Sequence, residues 1–298
     1  MMVSPDRPSV VLIILTCNQK EITLQCLESL AGCNYPNRHI VLVDNGSTDG
    51  TVEAVKKIYP QIHCLRNQAN LGAAAGRNVG IDYALGTLGF EFVMFMDNDI
   101  VVNPSFLDKL VDGLIEHNDL GIQIASPKLY LMGQDNILDC AGGAKVNFYL
   151  GSTQTRGHGE KDNGQYDDEK FPRCVPTTVL MHREALLRAE KFDVSFDPYG
   201  YEDLDMVMRA SVPGVPFLFV PDSIVHHKGS KTGFSGYSGE YTKVKTLNFK
   251  RFLRRHSTNL QRCSFCLLLP FLAVKTIIRE LRRGNIGSII GMIKGFLR

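Results

Sequence analysis

Two carboxylates, Asp97 and Asp99, stand two residues apart in Met-Asp-Asn-Asp, directly after the apolar run 92–96. Hard oxygen donors on that spacing can hold Mg2+ or Mn2+ and leave coordination positions open for phosphate oxygens. A cation so placed offsets charge that builds on a departing diphosphate. A second acidic pair, Glu202-Asp203, follows Tyr199-Gly-Tyr and opens a helical pattern. One of these acids can act as general base towards a hydroxyl nucleophile, and the two tyrosines can stack on a sugar ring.

Three further stretches join them. Asp44-Asn45-Gly-Ser ends an apolar run, where a carboxylate can accept hydrogen bonds from a ribose or base. The segment 70–78, Asn-Leu-Gly-Ala-Ala-Ala-Gly-Arg-Asn, places small residues where a helix begins, with Arg77 available to a phosphate. His226-His227 closes an apolar stretch and offers a neutral imidazole to a cation. Each has a plainer reading: a solvated turn, a helix cap, a tightly packed helix, acids complementing a helix dipole, a surface histidine pair. Their order along the chain carries more than any one of them.

The elements that must position these residues alternate over the first hundred positions. Residues 10–15 (VVLIIL) read as a buried strand. Asn18 with Glu21 forms a capping-box pattern for the helix that carries Leu24, Leu27 and Leu30. Strands are expected at 39–43, 62–65 and 92–96, and helices from Thr48 or Asp49, with Val52, Val55 and Ile58 inward, and over 72–85. That alternation implies a parallel sheet covered by helices. Beyond it, helices are expected at 106–116, 184–189 and 204–210, and strands at 122–126, 178–182 and 216–220. Residues 151–170 read as a mobile polar loop, and 228–239 as a flexible Gly/Ser/Lys segment.

Charge is distributed unevenly. Residues 241–298 carry 13 Lys and Arg against the single acid Glu280, so a basic tail follows an acidic body. Residues 265–274 (FCLLLPFLAV) are apolar but too short to span a bilayer, which needs about 20 such residues. Ile277, Ile278, Leu281, Ile286, Ile289, Ile290, Ile293 and Leu297 then alternate with bases at helical spacing, the pattern of helices lying in a membrane interface. Packing of this stretch against the preceding domain is the alternative. An anionic membrane is the expected partner, and nucleic acid is not, because no aromatic-basic platform appears. Cys263 and Cys266 form a C-x-x-C without a second ligand pair, which reads as packing on an apolar helix. No secretory signal pattern is visible at the start, so a cytoplasmic protein, peripheral on the inner face of the cell membrane, is expected.

The ordered blocks VVLIILTCN, IVLVDNGSTDGT, NQANLGAAAGRNVGI, FVMFMDNDIVVNPSFL, FDVSFDPYGYEDLDMVMRA and FVPDSIVHHKG resemble the family 2 glycosyltransferases, closest to the bacterial rhamnosyltransferase-like branch. The resemblance covers residues 10–229. It implies the GT-A fold, with a glycosyltransferase domain over 1–240, divided into a nucleotide-binding half (1–103) and an acceptor-binding half (104–240), and a basic amphipathic helical tail over 241–298. It further implies an inverting, metal-dependent transfer of a sugar from a UDP- or dTDP-linked donor to a glycan or lipid-linked acceptor, in cell-surface polysaccharide synthesis. By position, Thr16, Asn18, Asp44 and Asn45 line the nucleoside pocket. Asn70, Gly72 and Arg77 contact the base or diphosphate side, with Asn98 on the donor as well. Asp97, Asp99 and His226 hold Mn2+ or Mg2+, His227 being the substitute for His226, and Asp203 is the base beside Glu202. The segment 228–239 would close over the donor. Cys17 replaces a usual aromatic, and 174–178 (CVPTT) replaces a small-residue segment bordering the acceptor side. A sugar nucleotidyltransferase is the rival enzyme, but the place of its Gly-rich loop holds Thr16-Cys-Asn-Gln. A non-catalytic nucleotide-sugar-binding or scaffold protein is the rival outside enzymes.

Overall fold

The computed structural model describes residues 7–229 and 238–297. Most of the expected 228–239 segment lies outside the described residues. Along the chain the elements run β1 (Val10–Thr16), α1 (Lys20–Ala31), β2 (Arg38–Asp44), α2 (Thr51–Ile58), β3 (His63–Arg66), α3 (Ala73–Thr87), β4 (Phe92–Asp97), β5 (Ile100–Val102) and α4 (Phe106–Glu116). They continue as β6 (Ile124–Leu131), β7 (Leu138–Ala141), β8 (Ala144–Asn147), β9 (Ser152–Thr155), β10 (Val179–His182), α5 (Arg183–Ala189), α6 (Glu202–Ala210) and β11 (Leu218–His227). Three helices follow: α7 (Gly239–His256), α8 (Asn259–Arg282) and α9 (Ile286–Leu297).

Among the described residues nine strands share one sheet, ordered β3-β2-β1-β4-β10-β6-β11-β5, with β7 paired to β6. The first four run parallel, as the strand–helix alternation requires. Strand β10 runs antiparallel to both β4 and β6, and this is where the second half of the chain joins the first. Period-two alternation along β1 divides the core. Val10, Leu12 and Ile14 pack with α1 and α4, while Val11 and Ile13 face α3, α5 and α6. Because β1 and β4 are buried on both faces, they read as continuous apolar runs.

Local expectations are corrected at five places. Asn18 does not cap α1; it takes φ 53° and its Oδ1 accepts the Thr48 N–H at 2.8 Å, tying two loops together. Ile58, expected inward, is exposed because α2 ends there. The strands expected at 122–126 and 216–220 extend to Leu131 and His227, carrying the histidine pair into the sheet. Residues 151–170 are mostly exposed, as a surface segment should be, but hold strand β9 and one anchor: Arg156 is buried, donates to the Ala141 carbonyl at 2.7 Å and stacks over Tyr166. Cys263 and Cys266 are exposed on α8 instead of packed.

The C-terminal helices attach unequally. Helix α7 is built into the body: Phe252 is fully buried, Asn248 donates to the Tyr199 carbonyl at 2.8 Å, and Arg255 and His256 both reach Asp205 at 2.8 Å. Helix α9 lies against α7 through Gly287, Ser288, Gly291 and Gly295; a Cβ at Gly291 would collide with the Gly239 carbonyl, and one at Gly295 with Thr246. The large residues Ile286, Ile290, Ile293 and Leu297 face outward, as do Leu267 and Phe271 of α8. Small residues inward and large apolar residues outward invert the pattern of a water-facing helix. Among the described residues, no helix is long and apolar enough to cross a membrane.

Candidate active site

At the carboxyl ends of β1, β2 and β4 the chain turns outward, and these turns line a cleft of about 730 Å3. Ligands of open α/β sheets bind at such strand ends. Its lining includes Thr16, Asn18, Asn45, Asn70, Gly72, Arg77, Asp97, Asn98, Asp99, Glu202 and His227. Residues from 16 to 227 therefore meet in one concave surface. Asp44 is the exception on the nucleoside side: it is fully buried below the cleft, accepting the Ser47 N–H at 3.2 Å, with Arg66 Nε at 3.6 Å.

The floor is held by neutral side chains. Asn45 donates to Asn70 Oδ1 at 2.9 Å and to the Gly72 carbonyl at 3.0 Å, and its own Oδ1 accepts the Leu71 N–H at 3.1 Å. Asn98 is buried and donates to Thr16 Oγ1 at 3.2 Å and Thr23 Oγ1 at 2.9 Å, fixing the turn between Asp97 and Asp99. Asn45 and Asn98 thus shape the cleft as well as line it.

Arg77 joins the two acidic pairs. From the first turns of α3 its Nη2 reaches Asp97 Oδ1 at 2.6 Å and its Nη1 reaches Glu202 Oε1 at 3.2 Å. Burial works most strongly against its charge, but Asp97, Glu202 and Asp203 outweigh burial and raise its pKa. Arg77 Nε and Glu202 Oε2 are buried with no hydrogen-bond partner among the described residues, so this bridge retains polar capacity. Asp203, half-buried at the start of α6, lines a small adjoining pocket of about 90 Å3 with Arg77, Asp97, Glu202, Thr177 and Thr178. Burial, reinforced by the Glu202 charge, pushes its carboxyl up to about 6. That is the range in which a carboxylate is basic enough to take a proton yet ionised at neutral pH. Burial works against the charge of Lys245 on α7, but Tyr241 and Asp203 outweigh it and raise its pKa.

Of the two histidines, the structure brings His227 to Asp99. Its Nε2 lies 3.2 Å from Asp99 Oδ2 and its Nδ1 2.7 Å from Asp139 Oδ2. Burial disfavours the charged ring, yet the bonds to Asp139 and Asp99 hold its pKa at about 10. His226, one residue earlier on β11, faces the other way and stacks on Tyr130 at 5.7 Å, and burial lowers its pKa. The donor chemistry here, two carboxylates and an imidazole on one cleft, suits Mn2+ or Mg2+. Among the described residues no three acids, histidines or cysteines close into a ready-made coordination shell. An open site of this kind needs further ligands, such as phosphate oxygens.

Two residues of the site are not singled out by the sequence reading, although Asp197 lies within one of its blocks. Asp139 on β7 orients His227 from 88 residues away. Asp197 accepts the Ala74 N–H at 2.8 Å and the Ala75 N–H at 3.1 Å, so it caps α3 from the other half of the chain. The small residues at the start of α3 serve that approach: Gly72 has φ +97°, and a Cβ there would collide with the Asp197 carboxylate.

Comparisons with known proteins agree with this architecture. "Uncharacterized glycosyltransferase YibD" of Escherichia coli is 34% identical over 125 residues, 41% of this chain and 34% of that protein. The N-acetylglucosaminyl-diphospho-decaprenol L-rhamnosyltransferase of Mycobacterium tuberculosis is 28% identical over 211 residues, covering 65% of this chain and 68% of the relative. In several curated relatives the matched stretch is about a third of the relative's length, 34% and 33% in two bacterial examples. Among solved structures, the 1–349 fragment of S. aureus TarS superposes with a TM-score of 0.59 at 17% identity, covering 96% of this chain and 80% of that one. The mannosyltransferase PcManGT from Pyrobaculum calidifontis, solved with GDP-Man and Mn2+, gives 0.59 at 16% identity, covering 98% and 88%. The fold is GT-A, as these superpositions and the strand order together require. The sequence model named "Glycosyl transferase family 2" matches residues 11–188, a span that holds β1, the Asp97/Asp99 turn and Arg77 together, and by that match the chain belongs to this family.

Proposed function

We propose that this protein is an inverting glycosyltransferase that moves a sugar from a nucleoside-diphosphate donor to a glycan or lipid-linked acceptor, with a divalent cation. The observation that carries the reading is the Arg77 bridge, which sets Asp97 and Glu202 on one guanidinium and so draws both acidic pairs to one cleft. The relatives' names support donor and acceptor classes: TarS has been solved with UDP-GlcNAc, and the mycobacterial relative is named for a diphospho-decaprenol-linked acceptor.

In this reading the nucleoside lies against Thr16, Asn18 and Asn45, above buried Asp44, and the diphosphate lies near Asn70, Gly72 and Arg77. Asp97, Asp99 and His227, in place of His226, would hold Mn2+ or Mg2+, which when bound supplies Lewis-acid stabilisation of the leaving diphosphate. Asp203 takes the proton from the acceptor hydroxyl as that oxygen attacks the anomeric carbon. The bond to the diphosphate breaks as the new glycosidic bond forms, on the opposite face, so configuration inverts. Arg77 offsets charge on the leaving group from the same floor. The bases and outward apolar residues of α8 and α9 support a reading in which the enzyme contacts an anionic membrane, on the inner face of the cell membrane.

The test is turnover of UDP- and dTDP-sugars by the full chain, with Mn2+ or with EDTA, repeated with Asp203→Asn. Loss of the base should lower transfer roughly 100-fold or more while donor binding persists. Donor binding without transfer to any acceptor would favour a non-catalytic role. Undiminished transfer in EDTA would remove the cation from the mechanism.

A further inference from the structure

The inward face of α7 departs from what docking alone would select. Tyr241, Asn248 and Phe252 form one helical stripe, and all three meet the segment 195–203 that leads into the second acidic pair. Tyr241 stacks on Tyr199 at 5.3 Å, Asn248 donates to the Phe196 and Tyr199 carbonyls, and fully buried Phe252 lies 5.4 Å from the Tyr201 ring. Lys245 occupies the same stripe, four residues after Tyr241 and three before Asn248. A half-buried ammonium there loses hydration, whereas an apolar side chain would dock the helix without that penalty. Such a departure from local consistency marks functional positions.

The surroundings are shaped for that lysine. Its Nζ lies 5.6 Å from the centre of the Tyr201 ring and 5.7 Å from that of Tyr241, within cation–π reach of both. Gly200, at φ +95°, lets the stem cross the turn before Glu202, because a Cβ there would come within 2.8 Å of Lys245 Cδ. Asp203, two residues after Tyr201, is acted on from several sides. Burial and the Glu202 charge disfavour its ionised form, while the Leu204 N–H, Lys245 and Arg77 favour it. Asp97 of β4 lines the same pocket, and Asp205 of α6 is engaged by Arg209, Arg255 and His256. Of the two cations that favour the carboxylate, Arg77 is committed to Asp97 at 2.6 Å and to Glu202 at 3.2 Å. Lys245 forms no salt bridge among the described residues, so the charge it presents to Asp203 is not taken up by a closer acid.

We infer that Lys245 is a positioning residue for the general base: caged by Tyr201 and Tyr241, its ammonium holds the Asp203 carboxylate ionised, and the catalytic site is complete only with α7. The inference rests on the glycosyltransferase reading above, in which Asp203 takes the acceptor's proton. It carries the working site past residues 11–188, the span that the family model matches, into the first of the C-terminal helices. With the ammonium removed, burial and Glu202 act against the carboxylate with less opposition. Asp203 then picks up its proton at a higher pH, and transfer fails earlier on acidification. A lysine that merely packed α7 would change stability and leave that profile where it stands.

The experiment follows the full chain and its variants Lys245→Met, Lys245→Arg and Lys243→Met by two readouts. One is the pH dependence of kcat/KM for sugar transfer; the other is the carbon NMR shift of the Asp203 carboxyl, assigned with Asp203→Asn. Methionine keeps the apolar stem and so the docking of α7. In Lys245→Met the acid limb and the carboxyl titration should both move up by about half a pH unit or more. At about pH 5, kcat/KM relative to each protein's own plateau should then fall roughly threefold further than in the parent. Lys245→Arg, which keeps the charge, should hold both readouts near the parent. Lys243→Met, which removes a base of α7 paired with Glu240 at 2.9 Å, should move neither. A limb and a titration that both stay in place in Lys245→Met overturn the inference, as does a shift that Lys245→Arg or Lys243→Met shares in full. If the parent transfers sugar to no acceptor, the glycosyltransferase reading fails, and the carboxyl titration still decides whether Lys245 acts on Asp203.

Discussion

The two acidic pairs of the cleft are built in opposite ways. Asp97 and Asp99 end a strand, and there the first acid stands more than half exposed while the second is enclosed against His227. Glu202 and Asp203 begin a helix, and there the first acid is locked to Arg77 while the second sits in a small pocket with its pKa raised. Each pair therefore has one enclosed carboxylate and one more open, and the open Asp97 still shares the Arg77 guanidinium. The difference lies in what encloses the buried member of each pair: an imidazole at Asp99 on the strand side, a guanidinium at Glu202 on the helix side, with the same guanidinium reaching across to Asp97. A guanidinium stays charged at every working pH, whereas an imidazole can exchange its proton for a cation.

Arg77 is where the comparison breaks most completely. Arg77→Met leaves Glu202 buried without its counter-charge, and such a removal costs about 3 kcal/mol, discounted for the exposure of Asp97; urea unfolding should show it as a lower midpoint with an unchanged slope. Next in size is the pH profile. Asp203 must be ionised to act, and its pKa of about 6 means that kcat/KM falls as pH drops below that value. Glu202→Gln removes the charge that reinforces burial, so the acid limb should move to lower pH; a limb that stays in place would show that Asp203 is not the titrating base. On the strand side, His227→Ala and Asp139→Asn should each weaken Mn2+ binding by about 10- to 100-fold, the second by freeing the imidazole to turn. Equilibrium binding of Mn2+ in the presence of UDP measures this directly, and equal affinity in both variants would take the imidazole out of the cation site. The smallest effect belongs to Asp197→Ala, which removes the cap of α3 at a cost of about 1 kcal/mol, read as a modest fall in Tm with the pH profile unmoved.

The fold was legible where periodicity is strong. The run 10–15 and the run 92–96 became β1 and β4 because strands buried on both faces need continuous apolar residues. Strands β7, β8 and β9 were not legible: each has four residues, and β9 is exposed along its whole length. In the cleft, Asp97, Asp99, Glu202 and Arg77 stand together, a grouping that follows from the resemblance of the ordered blocks and from no single motif's spacing. Asn45 and Asn98 were read as donor contacts, whereas their hydrogen bonds also hold the loops, a role that no one-dimensional pattern displays. Alternation along a strand says that His226 and His227 face opposite sides; only the pairing of β11 with β5 fixes which of them meets Asp99. Asp139 and Asp197 were invisible because each acts on a partner far along the chain, at the end of a short strand or just before a turn.

Asp197 has one more effect. The positive end of a helix is a natural seat for phosphate, and α3 points such an end at the cleft in which the proposed donor would lie. Here a carboxylate from the second half of the chain already sits on it, bonded to two of its amides. An incoming pyrophosphate thus meets a terminus whose field is largely spent within the protein, and its negative charge must be answered by the guanidinium and by whatever metal the acids capture. The same carboxylate couples the two halves mechanically: a shift of the segment that bears it would loosen the helix beneath the donor.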